Sequence, residues 1–435
     1  MRRILLLVPK GNGPGNGRQW NRAWPERLEE VVRRGLWKLV TPGVLVLAAL
    51  AEGLAYEVEL VDEEFQQVDE SVSYDIVAMY TVTPNVRRAY FWAGHFREKG
   101  SHVVLGGVHA AMCQEEAACH ADTLLIGEAE YIWVEFLKDF EKGRAKGKYL
   151  QCLGTVDVDK SPVPAFHLLP QNGRRLIPVQ TARGCPHGCR FCNLRNIYGR
   201  GYRPKRTEGV VMELEAVRRV NPKAAIYFTD DNFFNDKARS KELLANVHDF
   251  GYTWYANTDI SLSQDPALIR QAYESGCRQV LIGFESVNPD SLIGIDENKF
   301  KSGNFSLYSD AIERIQSCGI GVIGSFILGL DEDDGSIFEA TADFIKKTNL
   351  YGANITVNTP YPGTLSFDEM KEQNRILSYD WDQYTIFQPV IRPKNMSFEE
   401  LDKGYIKLLE EIHSYGNTIA RLEYFKEQFK RRKGY

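Results

Sequence analysis

The sequence predicts an α/β protein: an N-terminal doubly wound (Rossmann-like) parallel sheet, then a partial (β/α)6 barrel, then a C-terminal helical cap. Three observations carry this. Short apolar strand segments alternate with helical segments across residues 1–140 and again from residue 176 onward. The two runs are separated by a polar, Pro-containing stretch. The chain has 435 residues, enough for two or three domains, and 43% hydrophobic residues to fill their cores.

In the first run, Ile4–Val8 reads as a buried strand. It mimics a signal peptide but is too short and runs into a Gly/Pro loop, Gly11–Gly17. Thr41–Gly53 is a helix entered through Pro42 and stopped at Gly53. Glu57–Val61, Ile76–Tyr80, Val103–Leu105 and Thr123–Ile126 are strands, and Asn85–Lys99 and Glu130–Phe140 are helices. Sheets of this kind bind ligands at the carboxyl ends of their strands. Those ends carry Thr81-Val82-Thr83, Gly106-Gly107-Val108-His109 and Gly127-Glu128-Ala129-Glu130. The Gly11–Gly17 loop is not a dinucleotide fingerprint, because Asn16 stands where the third glycine is required.

Residues 141–175 form the linker. The second domain spans 176–395. Its strand candidates are Ile177–Ala182, Ala225–Thr229, Thr253–Ala256, Gln279–Gly283, Gly321–Leu328 and Asn354–Asn358. Helices such as Glu208–Val220 and Asn304–Ser317 show apolar residues at helical spacing between them. Six βα units leave a barrel open on one side, since closure takes eight. Residues 396–435 read as a helical extension with Leu401, Ile406, Leu408, Leu409 and Ile412 on its apolar face.

A net charge of −5 gives no bulk electrostatic case for a nucleic-acid partner, and no apolar run reaches membrane-spanning length. The basic ending, Lys426, Lys430, Arg431, Arg432 and Lys433, reads as a solvated tail.

Three of the eight cysteines lie together, in Cys185-Pro186-His187-Gly188-Cys189-Arg190-Phe191-Cys192; the other five are scattered. A structural zinc site would normally need a fourth Cys or His at regular spacing, and a disulfide framework would need paired spacing. Three thiolates on one tight loop can instead hold three irons of a cubane and leave the fourth open for chemistry. Scattered unpaired cysteines with such a loop point to a reducing, cytoplasmic setting.

The pattern C-x-x-x-C-x-aromatic-C, with Phe191 at the aromatic position, resembles the signature of the radical SAM superfamily. The resemblance implies a 4Fe-4S cluster on Cys185, Cys189 and Cys192, and S-adenosylmethionine on its open iron. It implies a partial radical SAM barrel whose strand ends meet that cofactor: Asp230 and Asp231 at its amino group, Asn257 at its polar groups, Glu285 and Ser286 in a G-x-E-S element, and Leu328 near its adenine. Arg183 and Arg190 would put positive charge beside the cluster, with ordinary salt bridges as the alternative. Tyr198 and Tyr202 are substrate-side candidates; the remaining aromatics read mostly as core. The helix at Pro42 with the GG-x-H and G-E-x-E turns resembles the cobalamin-binding domain fused to many radical SAM enzymes. That implies cobalamin near Thr83, Gly106, Gly107, Gly127 and Glu128. The D-x-H-x-x-G string, whose His ligates cobalt in that fold, is absent, and His109 occupies a position without that role.

The expected function is thus reductive cleavage of S-adenosylmethionine to a 5′-deoxyadenosyl radical, coupled to cobalamin-dependent C-methylation of a small-molecule substrate. The alternative is radical cyclisation, rearrangement or another alkyl transfer, with the N-terminal fold used without cobalamin. A sensing regulator would need an output module, and none is evident. The expected partner is a reductant such as ferredoxin or flavodoxin, with no membrane and no nucleic acid. No catalytic acid or base is identified.

Overall fold

The computed structural model describes residues 1–12, 25, 28, 39–169 and 176–433. The Gly11–Gly17 loop beyond Asn12, the end of the linker, and the side chains of Arg431, Arg432 and Lys433 lie outside the described residues.

Six strands form the first sheet: β1 (Arg3–Val8), β2 (Glu57–Asp62), β3 (Ile76–Tyr80), β4 (His102–Gly106), β5 (Thr123–Ile126) and β6 (Lys148–Leu150). Their order is β2-β1-β3-β4-β5-β6, and every neighbouring pair is parallel. The order reverses between β1 and β3, which opens a crevice at their carboxyl ends. Alternate residues along β1 supply opposite faces, as a period of two requires. Leu5 and Leu7 pack with Trp92 and Phe96 of helix Val86–Glu98. Leu6, Ala78 and Val104 pack with Leu45 and Trp133 of helices Pro42–Glu52 and Glu130–Glu141. The sheet is doubly wound. Its sixth strand comes from the stretch expected as a linker. Only Tyr149 of its three residues is buried, too weak a pattern to register in the sequence.

The chain continues through β7 (Leu176–Val179), β8 (Ala182–Arg183), β9 (Arg203–Pro204), β10 (Ala225–Phe228), β11 (Thr253–Thr258), β12 (Cys277–Glu285), β13 (Gly321–Leu328) and β14 (Gly352–Val357). The second sheet runs β14-β13-β12-β11-β10-β7, all parallel, and its edge strands β7 and β14 do not pair. The barrel is therefore partial, as six units imply. The expected strand Ile177–Ala182 is split. β7 ends at Val179, and β8 pairs antiparallel with β9 as a separate ribbon. That ribbon is the neck of the cysteine loop.

The cap forms as expected. Ser397 and Glu400 make a reciprocal capping box that starts helix Phe398–Ile412. Leu401, Tyr405, Leu408, Leu409 and Ile412 are buried against the barrel, with helix Ile337–Lys347 as neighbour. Tyr405 takes the interior place that the sequence reading gave to Ile406, and its hydroxyl donates to the Ile355 carbonyl at 3.1 Å.

Two straps join the halves. Linker residue Ala165 donates its amide to Leu45 O at 3.0 Å, and Phe166 is buried beside it. Past the barrel, Trp381 Nε1 donates to the Glu116 carboxylate at 3.1 Å, and Asn12 Nδ2 donates to Asp382 O at 2.9 Å. Among the described residues, no helix is long and apolar enough to cross a membrane.

Candidate active site between the two sheets

The cysteine loop is held from its neck outward. Thr181 enters it, buried, with both its amide and hydroxyl donating to Asp230, at 2.6 and 2.5 Å. Gly184 turns the chain with φ +90°, facing the Gly201 carbonyl so closely that any side chain would collide. Its amide donates to Asp231 Oδ2 at 3.2 Å. Within the loop, the His187 side chain is held by partners outside it. Its Nε2 meets Asp259 Oδ2 at 2.8 Å, and its ring lies over Phe300 with centroids 4.2 Å apart. Burial alone would raise the Asp259 carboxyl, but hydrogen bonds from His187 and Ser261 outweigh it and hold it down at about 2. On the outer side, Arg190 N donates to Ile295 O at 2.9 Å, and Asn298 Nδ2 donates to Pro186 O at 3.0 Å. The segment after β14 reaches the same loop: Ser366 N donates to Arg190 O at 3.1 Å and Asn193 Nδ2 to Pro362 O at 3.0 Å. The loop thereby spans the open side of the barrel.

Cys185, Cys189 and Cys192 are all half-buried free thiols. Burial pushes all three thiols up, Cys192 to about 12. Thiols in such surroundings become thiolates when a metal supplies the opposing positive charge.

The two aspartates after β10 divide their work. Asp230 is buried and committed to Thr181. Asp231 is less enclosed, and burial together with Asp230 pushes its carboxyl up to about 7. Asn257 ties the same rim together, donating to Asp230 O at 3.2 Å and accepting from the Tyr227 hydroxyl at 2.6 Å. At the end of β12 a register irregularity turns Glu285 into φ +66°. Its carboxylate pairs with buried Lys301 at 2.9 Å, and Lys301 also donates to Gly283 O. Ser286 Oγ accepts the Asn288 amide at 3.0 Å. Leu328 is in the core, and Phe191 is half-buried against the same core cluster. Lys301 was not singled out in the sequence, where a lysine on a short polar helix gives no signal of burial.

Beside the loop lies a cavity at the carboxyl ends of β3, β4 and β5. Tyr80, Gly106, Gly107, Gly127, Glu128 and the start of helix Pro42–Glu52 line one side, over an apolar floor of Leu6, Ala78 and Val104. Gln180, Arg183, Tyr198 and Thr229 of the barrel line the other. Gly107 has φ +103°, and a Cβ there would stand 2.5 Å from Thr81 O. Gly127 has φ +100°, and a Cβ there would stand 2.7 Å from Gln151 O. Both turns therefore require glycine. Thr83 is outside the cavity lining; its hydroxyl meets His109 Nδ1 at 3.2 Å. His109 is buried and edge-on to Trp381, and burial pulls its basicity down. Tyr198 is in the cavity wall, whereas the Tyr202 hydroxyl accepts from Arg239 at 3.3 Å. Arg183 and Arg190 are both ion-paired, to Glu128 with Glu130 and to Glu369 respectively.

Residues 179–345 match the family model of the radical SAM superfamily. Over 387 residues the chain is 30% identical to bacteriochlorophyllide d C-12(1)-methyltransferase of Chlorobaculum tepidum, covering 87% of this chain and 84% of that one. The chain belongs to the radical SAM superfamily, in the same family as that methyltransferase. A second relative from the same organism, bacteriochlorophyllide d C-8(2)-methyltransferase, is 28% identical over 85% of this chain and 84% of its own. In fold, the chain resembles the radical SAM methyltransferase TsrM from Kitasatospora setae, a structure with cobalamin and a [4Fe-4S] cluster bound. The TM-score is 0.65 at 17% identity, over 86% of this chain and 78% of that one. It likewise resembles the cobalamin-dependent enzyme OxsB, with a TM-score of 0.62 at 16% identity, over 86% of this chain and 56% of that one.

As a radical SAM enzyme, the protein works with a [4Fe–4S] cluster and S-adenosylmethionine. Among the described residues, no three His, Cys, Asp or Glu side chains converge where one metal ion would sit. Three loop cysteines without a fourth ligand at regular spacing suit a cubane, whose thiolates each take a different iron, better than they suit zinc.

Proposed function

We propose that this radical SAM enzyme is a cobalamin-dependent methyltransferase that places a methyl group on an unactivated carbon of a small molecule. One observation carries the reading: the cavity at the first sheet's strand ends shares its wall with the neck of the cysteine loop. A group held there reaches the same space as one held on the barrel. When bound, the cluster and S-adenosylmethionine supply a 5′-deoxyadenosyl radical, and cobalamin supplies a methyl carrier.

The chain's own residues bind and orient. Cys185, Cys189 and Cys192 hold the cluster, and His187 and Asp230 hold the loop that carries them. Asp231, at the loop's entrance, receives the cationic amino group of S-adenosylmethionine, while Asn257, Glu285 and Ser286 shape the polar rim and Leu328 backs the adenine side. Gly106, Gly107 and Gly127 open the cavity for the corrin over its apolar floor. His109 is turned to Thr83 and Glu116, so it offers no ligand to cobalt from the described cavity wall.

The unpaired cysteines support a reducing, cytoplasmic setting, with ferredoxin or flavodoxin as the class of electron donor. Its relatives methylate bacteriochlorophyllide d, and this chain's substrate is likewise proposed to be a small molecule. A second reading, cyclisation, is favoured by 22% identity over 92% of the chain to an anaerobic magnesium-protoporphyrin IX monomethyl ester cyclase of Rubrivivax gelatinosus. Anaerobic turnover with methyl-labelled S-adenosylmethionine separates the two. Label carried into the product supports methylation; an unlabelled product with 5′-deoxyadenosine formed supports cyclisation.

A further inference from the structure

The turn after β5 and the neck of the cysteine loop meet in a buried network of two carboxylates and two guanidiniums. Glu128 Oε1 accepts from Arg183 Nη1 at 2.7 Å, and its Oε2 accepts from Arg203 Nη2 at 2.8 Å. Glu130 accepts from Arg183 Nη2, and Gln180 Oε1 accepts from Arg183 Nε at 2.7 Å. All three nitrogens of Arg183 are therefore engaged, and so are both oxygens of Glu128. The Glu128 side chain is 1% exposed and that of Arg183 is 6% exposed.

The placement of these groups matters more than their number. Arg183 and Arg203 face each other across the β8–β9 ribbon, one on each strand of the neck. Arg183 stands two residues before Cys185. Glu128 belongs to the opposite half of the molecule, in the turn that lines the cavity. A single carboxylate thus grips both strands of the neck and ties them to the cavity wall. Arg203 extends the tie, its Nη1 donating to Val156 O at 2.7 Å on the linker. Gly127 locks the turn from behind by its close approach to the Gln151 carbonyl. Buried Arg183 and partly buried Arg203 balance the two buried carboxylates locally. Such networks specify geometry more than they add stability, and they are disrupted when one member is removed.

We propose that Glu128, with Glu130, Arg183 and Arg203, forms an interdomain clasp that fixes the cavity against the cysteine loop, so that Glu128 is a positioning residue and not a contact of the bound cofactor. The proposal rests on the cobalamin reading for its purpose, but not for its test.

The test is amide hydrogen exchange on the anaerobic full-length chain with its cluster in place, comparing the parent with Glu128→Gln and Arg203→Gln. The clasp predicts that each variant speeds exchange at least tenfold in both the 127–130 turn and the 184–202 loop, although each substitution lies in only one half. It also predicts that Arg203→Lys, which keeps a charge within reach of Glu128, restores most of the protection. Faster exchange confined to the half bearing the substitution, or no change in either, overturns it. If Glu128→Gln yields no folded protein, Glu128→Asp takes its place. Its shorter reach should release one arginine and raise exchange in the loop while the rest of the first domain stays protected. Failure of the parent to take up cobalamin would count against the cofactor reading and leave these exchange results decisive for the clasp.

Discussion

The cysteine loop and the cavity beside it are written in the chain in opposite ways. The loop's three cysteines lie within eight consecutive residues, Cys185 to Cys192. The cavity is assembled from residues as far apart as Leu6 and Thr229, which only the folded sheets bring together. A compact site survives as a readable string because its geometry is local. A distributed site is readable only through the fold that gathers it. The difference also means that each half should be breakable without the other.

The largest effect falls on the loop. Replacing Cys185, Cys189 or Cys192 with Ala should abolish the iron–sulfur chromophore and 5′-deoxyadenosine formation, as measured by iron and sulfide content and by product chromatography. Cobalamin uptake should persist, since no cysteine of the motif lines the cavity. Gly107→Ala is the mirror experiment. Its Cβ meets the Thr81 backbone at φ +103°, a strain of about 1–3 kcal/mol before the collision is counted. Cobalamin affinity, followed by absorbance titration, should fall at least tenfold while iron content stays at the parent level. Loss of both cofactors in either variant would show that the halves are not separable.

A smaller effect belongs to Asp231→Asn. Losing a hydrogen bond to a charged group removes about 1.5–3 kcal/mol, so S-adenosylmethionine should bind roughly ten- to a hundredfold more weakly, with cluster and cobalamin contents unchanged. The same change at Asp230 should instead lower thermal stability, because both Asp230 oxygens hold Thr181.

The smallest effect lies outside both halves. Burial, with Arg421 acting in the same direction, lowers His413 to about 4. Below its ordinary value near 6.5, the unfolded chain takes up a proton that the folded chain refuses, so stability should fall as pH drops from about 6.5 towards 4. Melting temperatures of the parent and His413→Gln should converge on lowering the pH through that window, without any change in either cofactor.

The sequence made the alternation of strands and helices legible, along with the six-unit barrel, the C-terminal helical extension and the cysteine loop, because each is a short-range pattern. It did not reveal β6, since Lys148-Tyr149-Leu150 offers one buried residue. It made Asp230 and Asp231 equivalent, because only the fold sets Thr181 against the first and leaves the second at the loop's entrance. It placed Glu128 correctly at a strand end but could not show its partners, Arg183 and Arg203, 55 and 75 residues away. Lys301 was silent for the same reason: its partner Glu285 is brought to it by a strand irregularity.

The central claim is that loop and cavity form one site. The most direct measurement is electron paramagnetic resonance of the anaerobically reconstituted chain, with its cluster reduced and its cobalamin in the paramagnetic cobalt(II) state. The account predicts two signals that broaden or split each other, as neighbours across a shared wall must. Two signals that ignore each other, or a chain that holds its cluster but takes up no cobalamin, would contradict it.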